Sequence, residues 1–90
     1  MHELSVVTNL LKILDKVKEE KNAVSFLSIN LTVNPYSCID EENINFIFRS
    51  MTAGQPLYKN SRICIKRGND PASREFILEN VEIEVAVHNQ

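Results

Sequence analysis

The sequence is poor in the residues from which most catalytic and binding motifs are built. Its 90 residues include two glycines, two cysteines, two histidines and no tryptophan. With glycine only at Gly54 and Gly68, the chain cannot form a glycine-rich phosphate loop. The chain has few histidines and neither an HExxH sequence nor a nucleophile elbow. A set of side chains for acid–base or nucleophilic catalysis is therefore hard to assemble. The sequence therefore argues against an enzyme.

Charge and hydropathy exclude further classes of protein. The net charge is −2, and the ten lysines and arginines are spread along the chain without a basic stripe, so no nucleic-acid partner is indicated. No apolar run approaches the roughly 20 residues that cross a bilayer, and the first helical segment lacks the cleavage site of a signal peptide. We expect a cytoplasmic protein without membrane contact, folded as a single domain over residues 1–90.

The two cysteines do not predict a zinc site. Cys38 and Cys64 lie far apart in the sequence, and neither belongs to a CxxC pair. Cys64 falls in a strand pattern, where we expect it to pack as a small hydrophobic side chain. Cys38 falls in a loop without a neighbouring ligand, so a metal role for it is not favoured.

Two helices are predicted from apolar spacing and capping residues. Ser5 is a suitable N-cap for the first helix, whose apolar stripe continues to Val17 and which Asn22 should end. Asp40 is a suitable N-cap for the second helix, and Gly54 is its expected C′ residue. If Ser5 caps the first helix, the residues before it form a short mobile arm.

Three strands complete the pattern. Each shows alternating apolar residues, which are expected to point inward, and the last strand carries outward-facing glutamates that would blunt an edge. The inward positions are Leu27, Ile29, Leu31 and Val33, then Ile63 and Ile65, then Val81, Ile83, Val85 and Val87. The order α-β-α-β-β predicts a two-layer α+β domain, with two helices packed on one face of a three-stranded sheet.

The first three residues form a candidate metal site. The amine of Met1, the amide nitrogen of His2 and the His2 imidazole can close two fused rings on one metal ion. A planar array of nitrogen donors suits Ni(II) or Cu(II), and copper binds such donors more tightly. Because methionine is normally removed only before small residues, we expect Met1 to be retained. The fourth ligand is either Glu3 or a group supplied by a partner; alternatively, Glu3 orients the imidazole.

The start Met1–Ser5 resembles that of the hydrogenase/urease nickel-incorporation metallochaperones of the HypA type. The resemblance continues through the strand end and loop at Leu31–Asp40, the helix Glu42–Gly54 and the final strand Leu78–Val87. It implies Ni(II) bound at Met1, His2 and Glu3. It also implies a role in the maturation of hydrogenase or urease, with the maturation GTPase or the nickel-enzyme large subunit as partner. We expect a monomer or a weak homodimer.

The sequence departs from this family pattern at two points. Family members carry a zinc domain with two CxxC pairs between the last two strands, whereas the stretch Arg67–Arg74 contains no cysteine, so no zinc is expected. Asn34 replaces a loop glycine, and we expect it to tolerate a positive φ. The alternative function is therefore a zinc-less interaction module that docks on the GTPase or the nickel enzyme. His88, near the C-terminus, is expected to be an exposed tail residue.

Overall fold

Two helices and three strands follow one another in the predicted order. The computed structural model describes residues 2–86, except for the side chain of His2. Met1, Val87 and His88 lie outside the described residues, and so do the predictions made for them. In chain order the elements are α1 (His2–Lys21), β1 (Ala23–Val33), α2 (Glu41–Met51), a 3₁₀ turn (Pro56–Tyr58), β2 (Arg62–Arg67) and β3 (Phe76–Val85).

The sheet has β1 at its centre, in the order β2-β1-β3. β2 runs parallel to β1, because α2 crosses between them, and β3 runs antiparallel on the other side. The expected α+β architecture is confirmed, with both helices contributing to one core beside the sheet. The largest fully buried side chains are Val6, Val7, Leu10, Leu14, Phe26, Ile29, Leu31, Val33, Ile44, Phe48 and Ile63.

The predicted phase of β1 is correct from Ile29 onward and wrong before it. The register between β1 and β3 shifts between Phe26 and Ile29, so these two side chains are both fully buried, although they are three residues apart. Leu27, predicted to point inward, is only partly buried. A bulge of this kind reverses the alternation of side chains along a strand. Phe26 takes the core position instead and stacks on Tyr58 at a ring-centroid distance of 5.5 Å.

The end of β3 lies opposite a second irregularity, which is in β1. Val81 and Ile83 pack against the core as predicted. The register shifts between Ala23 and Ser25 because β1 has an extra residue there, so the alternation along β3 continues and Val85 pairs with Ala23, which is 5% exposed. Val85 therefore lies on the inward face as predicted, although it is 46% exposed at the last position of β3.

The helix ends agree with prediction at two of four places. Asn22 ends α1 with a φ of 54°, and the Asp40 carboxylate caps α2 by accepting from the backbone N–H of Asn43 at 2.9 Å. Gly54 has the expected left-handed φ of 81° but lies one position beyond C′, because the C-cap is Thr52. The start of α1 is predicted wrongly: the helix begins at His2, and Ser5 lies inside it.

The connection between β2 and β3 is a short loop fastened by one asparagine. The Asn34 side chain donates to the backbone carbonyls of Pro71 (3.0 Å) and Ser73 (2.9 Å), and its Oδ1 accepts from the N–H of Tyr36 at 2.9 Å. Among the described non-glycine residues only Asn22 has a positive φ, so Asn34 does not adopt the conformation that it was expected to tolerate. Asn34 contributes through its amide group and not through its backbone conformation.

Candidate metal centre

The N-terminal ends of the two helices meet through Glu3. Glu3 lies in the first turn of α1, and its Oε2 accepts a long hydrogen bond, 3.4 Å, from the backbone N–H of Asp40. Asp40 is itself the N-cap of α2. A carboxylate is favoured beside helix N-termini because the free N–H groups there carry partial positive charge. The start of α1 is therefore held against the start of α2 by a residue of the predicted site.

Hydrogen bonds to the ionised form lower the pKa of Glu3 below its ordinary value of 4.5. The largest contribution comes from its own backbone N–H, followed by the backbone N–H of Asp40 and the side chain of Asn43, and together they outweigh partial desolvation. Glu3 therefore carries its negative charge throughout the neutral range.

The backbone of His2 and Glu3, two of the three predicted metal-binding residues, is part of a helix. Because α1 begins at His2, the N–H groups of His2 and Glu3 belong to the first turn, where no intrahelical carbonyl is available to accept from them. The expected mobile arm ahead of Ser5 is therefore wrong for His2 and Glu3. The amide nitrogens that a nickel chelate would use are nevertheless free of helical hydrogen bonds.

Acidic side chains surround the two helix starts. A helix N-terminus opposes a bound cation, since its dipole presents partial positive charge. Glu3 lies in the first turn of α1, Asp40 caps α2, and Glu42 lies in the first turn of α2. These carboxylates supply the negative charge that a divalent cation at this end of the molecule would require.

Neither cysteine adds to this centre. Cys38 is exposed in the loop that precedes α2, and Cys64 is half-buried in β2. Because Ile63 points into the core, its neighbour Cys64 lies on the opposite, open face of the sheet, as the alternation predicts. Among the described side chains, which do not include that of His2, no three His, Cys, Asp or Glu are grouped closely enough to hold a metal ion.

One contributing residue was missed at the sequence level. Asn43 donates its backbone N–H to Asp40 and its side chain to Glu3, so it links both acidic groups. In a capping box the third residue after the N-cap is Glu or Gln and its side chain accepts from the N-cap N–H, whereas here the Asp40 N–H donates to Glu3. The local sequence therefore gives no signal for the contact of Asn43 with α1.

Comparison with known proteins adds one match. Residues 1–74 match the family model described as "HypA: Hydrogenase/urease nickel incorporation, metallochaperone, hypA". The matched segment includes α1, β1, α2, β2 and the predicted metal-binding residues, and it ends two positions before β3 begins. No curated protein matches the chain significantly. No helix in the described part of the chain is long and apolar enough to cross a membrane.

Proposed function

Since the chain belongs to the HypA family of metallochaperones for nickel incorporation into hydrogenase and urease, we propose that it binds Ni(II) at its N-terminus and delivers it to a nickel enzyme. The observation that carries this proposal is the family match, which includes the first three residues. Nickel is the cargo of such a protein and not a resident cofactor. The family acts as a metallochaperone and not as an enzyme.

The proposed donors are the Met1 amine, the His2 amide nitrogen and the His2 imidazole Nδ1. The position of His2 at the beginning of α1 supports this set, because its amide can lose a proton to the metal without breaking a helical hydrogen bond. Nitrogen donors in one plane favour a square-planar Ni(II) complex. The fourth position is left for the Glu3 amide, a water or a group of the receiving protein.

Glu3 is better suited to positioning the site than to binding the metal through its carboxylate. Its Oε2 is occupied by the Asp40 N–H, and the Asn43 side chain donates to the same carboxylate. A group held in this way fixes the first turn of α1 and places a negative charge beside it. Partners of this kind commonly orient metal ligands and strengthen binding 10–100-fold.

Protons should control binding and release. The His2 imidazole and the amine must both be deprotonated to bind, and the amide nitrogen loses its proton only to the metal. Nickel affinity is therefore expected to fall steeply as the pH drops through the range in which imidazole titrates, near 6.5. Since the pKa of Glu3 is lowered, Glu3 stays ionised over that range and does not contribute to the loss.

The maturation role also implies the partners. We propose that the chain acts in the cytoplasm with the maturation GTPase or with the large subunit of the nickel enzyme, as a monomer or a weak homodimer. If the chain binds no nickel, the same partners remain for the alternative function, a zinc-less interaction module. One observation favours that alternative: the connection 68–75 contains no cysteine, although the resemblance implies a zinc domain at this place.

The proposal is tested by titrating Ni(II) into the untagged protein, by calorimetry and by absorbance of the square-planar complex. We expect one equivalent to bind, and His2→Ala should weaken binding at least about 100-fold. Adding one residue before Met1 should have a similar effect, because it moves the amine away from the chelate ring. Glu3→Gln should weaken binding about 10–100-fold while the absorbance spectrum keeps its shape.

His88→Ala is the matched control, since it removes the other histidine of the chain. It should leave nickel affinity within about twofold of the unmodified protein. Equal affinity of the unmodified protein and His2→Ala would overturn the N-terminal site. Retained binding to the purified GTPase by a protein without nickel affinity would favour the interaction module.

A further inference from the structure

The two edges of the sheet differ in how their backbone groups are satisfied. On β2, the N–H and C=O of Ile63 pair with the Asn45 side chain at 2.8 Å each, and the N–H of Ile65 donates to Glu41 Oε2 at 2.7 Å. Asn45 and Glu41 are one turn apart on α2, so the helix lies along this edge and supplies the partners that a fourth strand would otherwise supply. The β2 edge is closed.

The β3 edge is open along its full length. β3 pairs with β1 on one side only, and no other described element forms backbone hydrogen bonds with its second side. The strand has ten residues, Phe76–Val85, which is longer than the usual five or six. Natural proteins normally shorten or cover an edge of this kind, since it is a template for pairing with another chain.

A groove accompanies the first half of this edge on the helix side of the sheet. It has a volume of about 490 Å³ and is lined by Asn9 and Ile13 of α1 and by Phe76, Ile77 and Leu78 of β3, with the oppositely charged Arg74 and Glu75 that precede β3. Ile13 is 38% exposed although it belongs to the apolar face of α1. An added strand would place its inward-pointing apolar side chains beside this groove and would cover Ile13.

Charge specifies which kind of strand fits. β3 contains Glu79, Glu82 and Glu84 and no lysine or arginine. All three glutamates are exposed, and Glu82 and Glu84 are two residues apart, on one face of the strand. A second copy of β3 would bring glutamates against glutamates, which is unfavourable across strands, whereas lysine or arginine at alternate positions would be favourable.

We propose that the β3 edge is a docking site for an extended segment of another protein, in which basic residues alternate with apolar ones. The segment adds a fourth strand beside β3. Its backbone pairs with the open edge, its apolar side chains contact the groove, and its basic side chains meet the glutamates on the open face. This interaction surface is independent of nickel binding and stands whether or not the N-terminal site is occupied.

The test uses the full chain and a fluorescent, acetylated ten-residue peptide in which lysine and valine alternate. We expect measurable binding by anisotropy and slower amide hydrogen exchange in β3 when the peptide is present. A peptide with glutamate in place of lysine should bind at least about tenfold more weakly. Added salt should weaken binding of the lysine peptide, because opposite charges are screened.

The double variant Glu79→Lys/Glu84→Lys should lose at least about tenfold in affinity for the lysine peptide. Its matched control is Glu19→Lys/Glu20→Lys, which changes the net charge equally at exposed positions of α1 and should stay within about twofold of the unmodified protein. Equal loss in both variants, equal binding of the two peptides, or exchange protection outside β3 would overturn the proposal. So would a stable dimer whose β3 amides are protected without peptide, since a second copy would then occupy the edge.

Discussion

Asn45 is expected to be the most important polar side chain for stability. It is 3% exposed, and its amide group pairs with both the N–H and the C=O of Ile63 at 2.8 Å, as the backbone of a neighbouring strand would. Its Nδ2 also donates to the carbonyl of Glu41 at 2.9 Å. The substitution Asn45→Ala removes these contacts and leaves two backbone groups of a fully buried residue without partners.

The expected loss follows from those two groups. Leaving one buried donor or acceptor unsatisfied destabilises a protein by about 1–3 kcal/mol. Two such groups at Ile63, with partial relaxation, give a loss of about 2–4 kcal/mol, and the better helix propensity of alanine returns only about 0.5 kcal/mol. A chain of this length has a free energy of unfolding of about 5–13 kcal/mol, so the variant loses a large share of its stability.

Urea unfolding followed by circular dichroism measures the loss directly. If the unfolding free energy falls by about 1–1.5 kcal/mol per molar urea, the unfolding midpoint should fall by about 2 M. Amide exchange at Ile63 should become faster, by the factor that corresponds to the same loss of free energy. Ser50→Ala is the control, because it removes an exposed hydroxyl from the same helix and should change stability by less than about 0.5 kcal/mol. A midpoint for Asn45→Ala within about 0.3 M of the unmodified protein would refute this account of the β2 edge.

Further expectations concern the core, the loop and Glu3. In urea unfolding, Phe26→Ala should destabilise the fold by about 3–5 kcal/mol and Leu27→Ala by less than about 1.5 kcal/mol. A larger loss of stability for Leu27→Ala than for Phe26→Ala would contradict the β1 bulge. Asn34→Ala should lower the free energy of unfolding by about 1–2 kcal/mol and speed proteolysis within residues 68–75. An unchanged rate of cleavage would show that the Asn34 side chain does not hold this loop in place. Burial, and then the charge of Asp15, raises the pKa of Tyr58 to about 12. The buried Tyr58 hydroxyl has no hydrogen-bond partner among the described residues. Tyr58→Phe should therefore leave stability unchanged or raise it by up to about 1 kcal/mol, as measured by thermal unfolding. Because the folded-state pKa of Glu3 lies below its ordinary 4.5, its contribution to stability is present above about pH 4.5 and is lost as the pH falls through the lowered pKa, so Glu3→Gln should flatten the stability profile in that range.

The order of elements was predictable because it depends on local patterns. Apolar spacing and caps such as Asp40 and Asn22 are properties of a few neighbouring residues. The error of phase at Leu27 has another origin. Leu27 lies beside a register shift between β1 and β3, and such a shift depends on pairing with a strand about 50 residues away in the sequence. Alternation in one segment cannot reveal where that pairing leaves an extra residue in the segment.

The N-terminal metal site stays a prediction, and the structure describes only the surroundings of Glu3. Met1, His2 and Glu3 were identified from donor chemistry and resemblance. The contact of Glu3 with the Asp40 N–H joins residues 37 positions apart, and nothing in either local sequence indicates it. That contact joins the first turn of α1 to the N-terminus of α2.

The two departures from the resemblance, at Asn34 and in the connection between β2 and β3, meet at one place in the structure. A chain that joins β2 to β3 through residues 68–75 must close a tight connection next to the end of β1. A glycine at position 34 would offer no side chain there. Asn34 instead binds two carbonyls of the loop and the N–H of Tyr36, which satisfies backbone groups on both sides of the connection. The asparagine and the short loop therefore form one structural unit held together by hydrogen bonds.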